Sequence, residues 1–186
     1  MPIRLDRSYA DDRPAILALM DEARGRDLSD AERAQQGFVQ GRMDESSLTR
    51  LQAGTGVFVA RDGSTLVGFA MTSAAHSAKN DLAVEMLRIA AQAESEVQPE
   101  KTFLYGPVAV DRRYQGQGLL TRLLIHVCTE LRTQFKLGVL FVDRANHKSL
   151  TIHREYLMDE RSGFEFKGRS YVVFTFSPAA ILDHYG

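Results

Sequence analysis

Apolar positions along the 186-residue chain change period repeatedly, and each change marks an element. Ile3 to Leu5 is a short strand candidate. From Asp11 to Arg24, residues Ile16, Leu19, Met20 and Ala23 share one helical face, with Asp11 or Asp12 as cap and Pro14 in the first turn. Ser29, followed by Asp30 and Glu32, opens a second helix that stops near Gly37 or Gly41. Asp44 to Ala53 predicts a third, ended by Gly54. Val57–Ala60 and Thr65–Met71 read as strands joined by the tight hairpin turn Arg61-Asp62-Gly63-Ser64. Lys79 to Glu96 reads as a helix with Leu82, Met86, Ile89 and Ala93 on its apolar side. Thr102 to Val110 is a strand interrupted at Gly106-Pro107, where the missing proline N–H predicts a bulge or a splayed strand.

The helix after the glycine-containing turn is expected to bury Leu119, Leu120, Leu123, Leu124, Val127 and Leu131. Gly138–Val142 is apolar throughout, as a buried central strand would be. Asn146 to about Met158 is helical, and Phe164 to Phe176 forms a hairpin through Lys167-Gly168-Arg169. The order β, helices, ββ, α, β, α, β, α, ββ describes an α/β chain, and its length predicts a single domain over 1–186.

Composition changes this picture little. Net charge is −1, so no global field draws the chain to nucleic acid or to a membrane surface. Locally the balance tilts: from Tyr105 to Arg154 eight basic residues face three acids, which suits an anionic ligand or solvated surface charge. The single cysteine, Cys128, permits no internal disulfide and falls on the apolar side of its helix, as a packing residue. The opening Met-Pro-Ile-Arg-Leu-Asp lacks signal-peptide architecture, and no apolar run approaches a membrane span. A cytoplasmic protein without metal, nucleic-acid or membrane partners is expected.

The most telling segment is Val-Ala-Val-Asp-Arg-Arg-Tyr-Gln-Gly-Gln-Gly-Leu-Leu-Thr-Arg-Leu-Leu, from Val108 to Leu124. It reads as strand, glycine-punctuated turn and amphipathic helix. Gly116 and Gly118 let backbone N–H groups approach a ligand, and the helix aims its unpaired N–H groups and dipole at the same spot. A phosphate or pyrophosphate suits such a pocket. The Walker pattern is excluded, because no Lys follows Gly118. A dinucleotide fingerprint is disfavoured, because Thr121 stands where a third small residue belongs and Asp143 is only loosely placed as the acidic partner.

What remains is Gln-x-x-Gly-x-(Gly/Ala), here Gln115, Gly118 and then Leu120 in place of the small residue. This resembles the acyl-CoA loop of the GNAT-type N-acetyltransferase superfamily, as does the wider Val-x-Val-x-x-x-Tyr-Gln-Gly-Gln-Gly-Leu. A second stretch, Asn146-x-x-Ser149-x-x-x-His153 followed by Gly163-Phe164, is similar to the helix after the fifth strand of that family, with Gly-Phe about six residues late. The resemblance implies a mixed, mostly antiparallel central sheet with a splayed fourth and fifth strand and helices on both faces. The Lys79–Glu96 helix is an addition to that pattern, and the surplus Tyr156–Ser162 lengthens the last helix or its exit loop.

Function and site residues follow as what the resemblance implies. Acetyl-CoA would be the acyl donor and a primary amine, on a small molecule or a peptide, the acceptor, with a homodimer as an option. Val108, Ala109 and Val110 would hydrogen-bond pantetheine. Amides of Gln115, Gly116, Gln117, Gly118, Leu119 and Leu120, with the Thr121 hydroxyl, would hold the pyrophosphate, and Arg113 lies near enough to assist. Asn146 would contact pantetheine and Ser149 would let the helix sit close. His153 takes the place often held by a tyrosine acid, and Tyr156 is the substitute. Glu85, Asp143, His76 and His147 are base candidates by type alone, beside a water chain. Arg24, Arg26, Gln36, Gln40 and Arg42 could grip an anionic acceptor or form a solvated face. Two alternatives stay open: an acyl-CoA-binding or sensing module without catalysis, and a nucleotide-phosphate binder.

Overall fold

The computed structural model describes residues 2–78, 80–94 and 98–186. Its centre is a seven-stranded sheet: β1 (Arg4–Arg7), β2 (Val57–Asp62), β3 (Thr65–Ala74), β4 (Thr102–Val110), β5 (Leu137–Asp143), β6 (Asp159–Phe166) and β7 (Arg169–Phe176). The spatial order is β1-β2-β3-β4-β5-β7-β6. Every pairing is antiparallel except β4 with β5. The fold is therefore the mixed, mostly antiparallel α/β sheet that the sequence implied.

Among the described residues seven helices flank it: α1 (Arg13–Ala23), α2 (Asp30–Gln36), α3 (Glu45–Ala53), α4 (Asp81–Ala93), α5 (Leu119–Leu131), α6 (His147–Glu155) and α7 (Pro178–Tyr185). Five of these starts carry side-chain caps. Ser29 and Glu32 form a reciprocal capping box on α2, while Asp44, Asn80, Asn146 and Ser177 each accept a first-turn N–H. One face of the sheet packs against α5, α7 and Leu150 of α6, through Phe103, Tyr105, Leu140, Val142, Phe174 and Phe176. On the other face Ile16, Leu19 and Met20 of α1 and Leu48 of α3 cover Val57, Val59, Phe69 and Met71. There α4 covers Leu137, Val139 and Val173.

Three expectations need correction. The predicted Lys79–Glu96 helix is seen as Asp81–Ala93; Lys79, Ser95 and Glu96 lie outside the described residues. Its buried side is Ala83, Met86, Ile89 and Ala90, while Leu82 is half-buried and Ala93 exposed. Helix α6 ends at Glu155 and not near Met158, and of Tyr156–Ser162 only Tyr156–Met158 form its exit loop. Asp159–Ser162 begin β6, whose Asp-Glu-Arg-Ser start hides a strand because it lies on an edge that pairs only with β7. Helix α7 was not foreseen: Ser177 caps it, Pro178 starts it, and Ile181 anchors it against α5.

Candidate active site

β4 and β5 pair only at Thr102–Leu104 against Leu137–Val139, and from Tyr105 onward they part. The break predicted at Gly106-Pro107 coincides with this parting. Here β4 carries one surplus residue: Ala70 and Thr72 of β3 stand opposite Val108 and Tyr105. The Gly106-Pro107 peptide is cis. Beyond the bulge the Asp111 N–H donates to Val67 O at 2.9 Å. Hydrogen bonding alternates along an antiparallel strand, so Ala109 spends its groups on β3 while Val108 and Val110 turn theirs to the gap. Sequence reasoning named all three without this distinction.

At the open end of the gap the chain makes a short 3-10 turn (Arg112–Tyr114) and enters the glycine loop. The Gln115 N–H is directed back to Arg112 O at 3.4 Å. Its side chain donates to Val110 O at 3.1 Å and accepts from Lys148 Nζ at 2.7 Å, tying β4, loop and α6 together. Gly116 (φ 74°) and Gly118 (φ 72°) occupy the left-handed region, and a Cβ on either would meet no atom within 4 Å. The N–H groups of Gly116 to Thr121 find no protein acceptor among the described residues. Open space over positive-φ glycines and free first-turn amides fits a diphosphate. Gln117 stays outside the cleft with its amide on Arg113 O at 3.2 Å. Arg113 is held bidentately by Asp111, whose carboxyl lies below its usual range because of that guanidinium.

Helix α6 forms the facing wall. Asn146 is almost fully buried; its Oδ1 accepts from Ser149 N at 3.2 Å and its Nδ2 donates to Phe38 O at 2.8 Å. Its amide thus clamps the segment after α2 onto the start of α6. His153 donates Nδ1–H to Ser149 O at 2.7 Å, which leaves Nε2 as the ring's acceptor. Burial lowers its pKa, so the ring is neutral near pH 7. The Tyr156 hydroxyl lies 2.9 Å from Thr121 Oγ1, and burial raises its pKa. Tyr185 of α7 closes this end: its hydroxyl accepts from Leu157 N at 3.0 Å and its ring meets Tyr156 edge-on at 6.0 Å.

Loop, gap and helix wall open into one cleft of about 1290 Å³. It contains Val108, Ala109, Val110, Gln115, Gly116, Gly118, Leu119, Leu120, Thr121, Asn146, Ser149, His153 and Tyr156, so the candidate residues are brought together apart from Gln117. Of the suggested acceptor residues only Arg26 and Gln36 line it. Arg26 is paired with Asp21, and Gln40 bonds Asp143. None of the four base candidates lines it: Glu85 pairs with Arg88, Asp143 is buried under Arg169, and His76 and His147 are exposed elsewhere. The cleft instead holds Glu22, Asp27 and Glu155, none in an ion pair among the described residues. Sequence spacing carried no signal for these three. Tyr105, also overlooked, lines the cleft where the strands diverge. Cys128 is fully buried, and burial pushes its thiol up to about 12.

Among the described residues no helix is long and apolar enough to cross a membrane, and no group of three or more His, Cys, Asp or Glu could hold a metal. No curated protein matches the chain significantly. Solved structures share the fold at low identity. An N-acetyltransferase from Staphylococcus aureus Mu50 is 14% identical at a TM-score of 0.66, covering 96% of this chain and 99% of that one. A putative acetyltransferase from Salmonella typhimurium, solved with acetyl-CoA, is 15% identical at 0.62, covering 100% and 97%. A phosphinothricin acetyltransferase from Sinorhizobium meliloti, in complex with acetyl-CoA, is 15% identical at 0.66, covering 95% and 89%. A family model matches residues 26–157, which include the gap, the loop and α6, and the chain belongs to the Acetyltransferase (GNAT) family.

Proposed function

We propose that this protein transfers the acetyl group of acetyl-CoA to a primary amine by direct attack within a ternary complex. The observation that carries this reading is the junction of two features in one cleft: the β4 edge at Val108 and Val110, which β5 leaves unpaired, and the amide cradle from Gly116 to Thr121. An acyl-CoA supplies an activated thioester. The cradle takes its diphosphate, and the strand edge pairs with the amides of its extended arm.

From that placement, Val108 N–H faces the carbonyl oxygen that gains charge as the amine attacks. Holding donor and acceptor together removes the entropic cost of their meeting. Neutral His153 offers no proton of its own at Nε2, and the Tyr156 hydroxyl is already paired with Thr121 Oγ1 at 2.9 Å. Glu22 and Asp27 lie on the α1 side, where their charge favours a cationic amine and water can carry off its proton. No acyl-enzyme is needed, and buried Cys128 is unsuited to form one.

The test is an amine panel incubated with acetyl-CoA, reading free thiol. Release of CoA with at least one amine, and mass gain of that amine by one acetyl group, is the expected result. Tight acetyl-CoA binding with no release across small amines and peptide N-termini would leave a binding module instead.

A further inference from the structure

The Tyr105 hydroxyl has no hydrogen-bond partner among the described residues, although the residue is only 8% exposed and lines the cleft. A buried hydroxyl normally finds a partner, so one turned into a cavity without one is available to a ligand. Its place follows from the bulge. Tyr105 is the first β4 residue past the last pairing with β5, at the closed end of the gap. The surplus residue puts Tyr105, Val108 and Val110 on the same side of the sheet, between α5 and α6, while Ala109 faces α1. An extended arm that enters from the glycine loop meets Val110, then Val108, and ends beside Tyr105.

We infer that the Tyr105 hydroxyl donates a hydrogen bond to the sulfur of the donor thioester and to the thiolate that departs. This rests on the acetyl-transfer reading and assigns its leaving-group contact. In the step, the amine nitrogen bonds the carbonyl carbon, the C–S bond breaks, and its electron pair stays on sulfur. The amine proton passes to water, and the thiolate is held by the hydrogen bond until it takes a proton from solvent. Burial keeps Tyr105 protonated throughout, so it is a donor and not an acid. Groups that face it are Tyr156 at the end of α6 and Cys128 on α5, with the Phe176 ring of β7 edge-on at 5.7 Å. His153 on the same wall has its pKa lowered by burial, so it stays neutral across the test.

The experiment measures CoA and desulfo-CoA affinity from about pH 7 to about pH 10, across thiol ionisation, for wild type and Tyr105→Phe. Wild type should bind CoA about 10- to 100-fold more tightly relative to desulfo-CoA as the thiol ionises. Tyr105→Phe should lose that gain, keep its desulfo-CoA affinity and thermal stability, and lower kcat more than it raises KM. Parallel CoA profiles for the two proteins overturn the inference while the cleft assignment stands. Absence of desulfo-CoA binding by wild type overturns both.

Discussion

The glycine loop gives the sharpest quantitative test, because three glycines form an internal control. Gly116, Gly118 and Gly168 have φ of 74°, 72° and 74°, and a Cβ on any of them would meet nothing within 4 Å. Gly168 sits in the β6–β7 turn, outside the cleft. Alanine at each therefore carries the same left-handed penalty, about 1 kcal/mol after the smaller unfolded-state entropy is offset. That predicts a fall in Tm of about 2–4 °C for each variant. The penalty is present with and without ligand, so it cancels from binding. Gly118→Ala differs, because Gly118 is the N-cap of α5 and lines the cleft next to the first-turn amides. Displacing one charge-assisted bond there costs about 1.5–3 kcal/mol, or roughly 10- to 100-fold in Kd. Differential scanning fluorimetry and calorimetric titration with CoA read the two quantities separately. Equal Tm losses with unchanged Kd for Gly118→Ala would refute the loop as the diphosphate site, and a matching Kd loss in Gly168→Ala would refute the cancellation.

Burial holds the pKa of His153 below its unfolded value, so the unfolded chain binds the extra proton first as pH falls. Stability should therefore decline below about pH 6.5, and His153→Gln should flatten that slope in denaturant titrations; an identical slope would dismiss the effect. Asn146→Ala loses both a helix cap and the bond to Phe38 O, together about 2 kcal/mol. Its Tm should fall by about twice as much as that of Ser29→Ala, which loses an exposed cap; equal losses would deny the clamp. Cys128 should resist a thiol reagent at about pH 8 and react once the chain is unfolded, since burial keeps it protonated; rapid labelling of native protein would contradict the packing.

What was legible in the sequence is local. The hairpins, the capped helices and the Gly116–Gly118 loop follow from alternation, caps and turn chemistry within a few residues. The parted strands were legible too, because Pro107 removes a donor from a strand that otherwise reads as continuous. Long-range partners were not. Nothing near Asn146 says that its amide reaches Phe38, 108 residues away. Glu22, Asp27 and Glu155 look like solvated helix positions until the fold turns them to one cleft, and Glu85 looked no worse than they did. The first half of β6 was hidden for a related reason: an edge strand tolerates charge, so Asp159–Gly163 shows no apolar alternation, although its end was read within the Phe164–Phe176 hairpin.

Strand β4 departs from ideal pleating by a single inserted position, and the departure decides which chemistry shares a chamber. With even spacing, Tyr105 and Ala109 would look the same way and the two edge valines the other. The odd step instead sets an aromatic hydroxyl and two outward amides around one volume, with a methyl group left to floor the opposite compartment. Insertion or deletion of one residue between Leu104 and Val108 is thus a parity change, one that would exchange the walls of the two compartments without altering the identity of the side chains that form them.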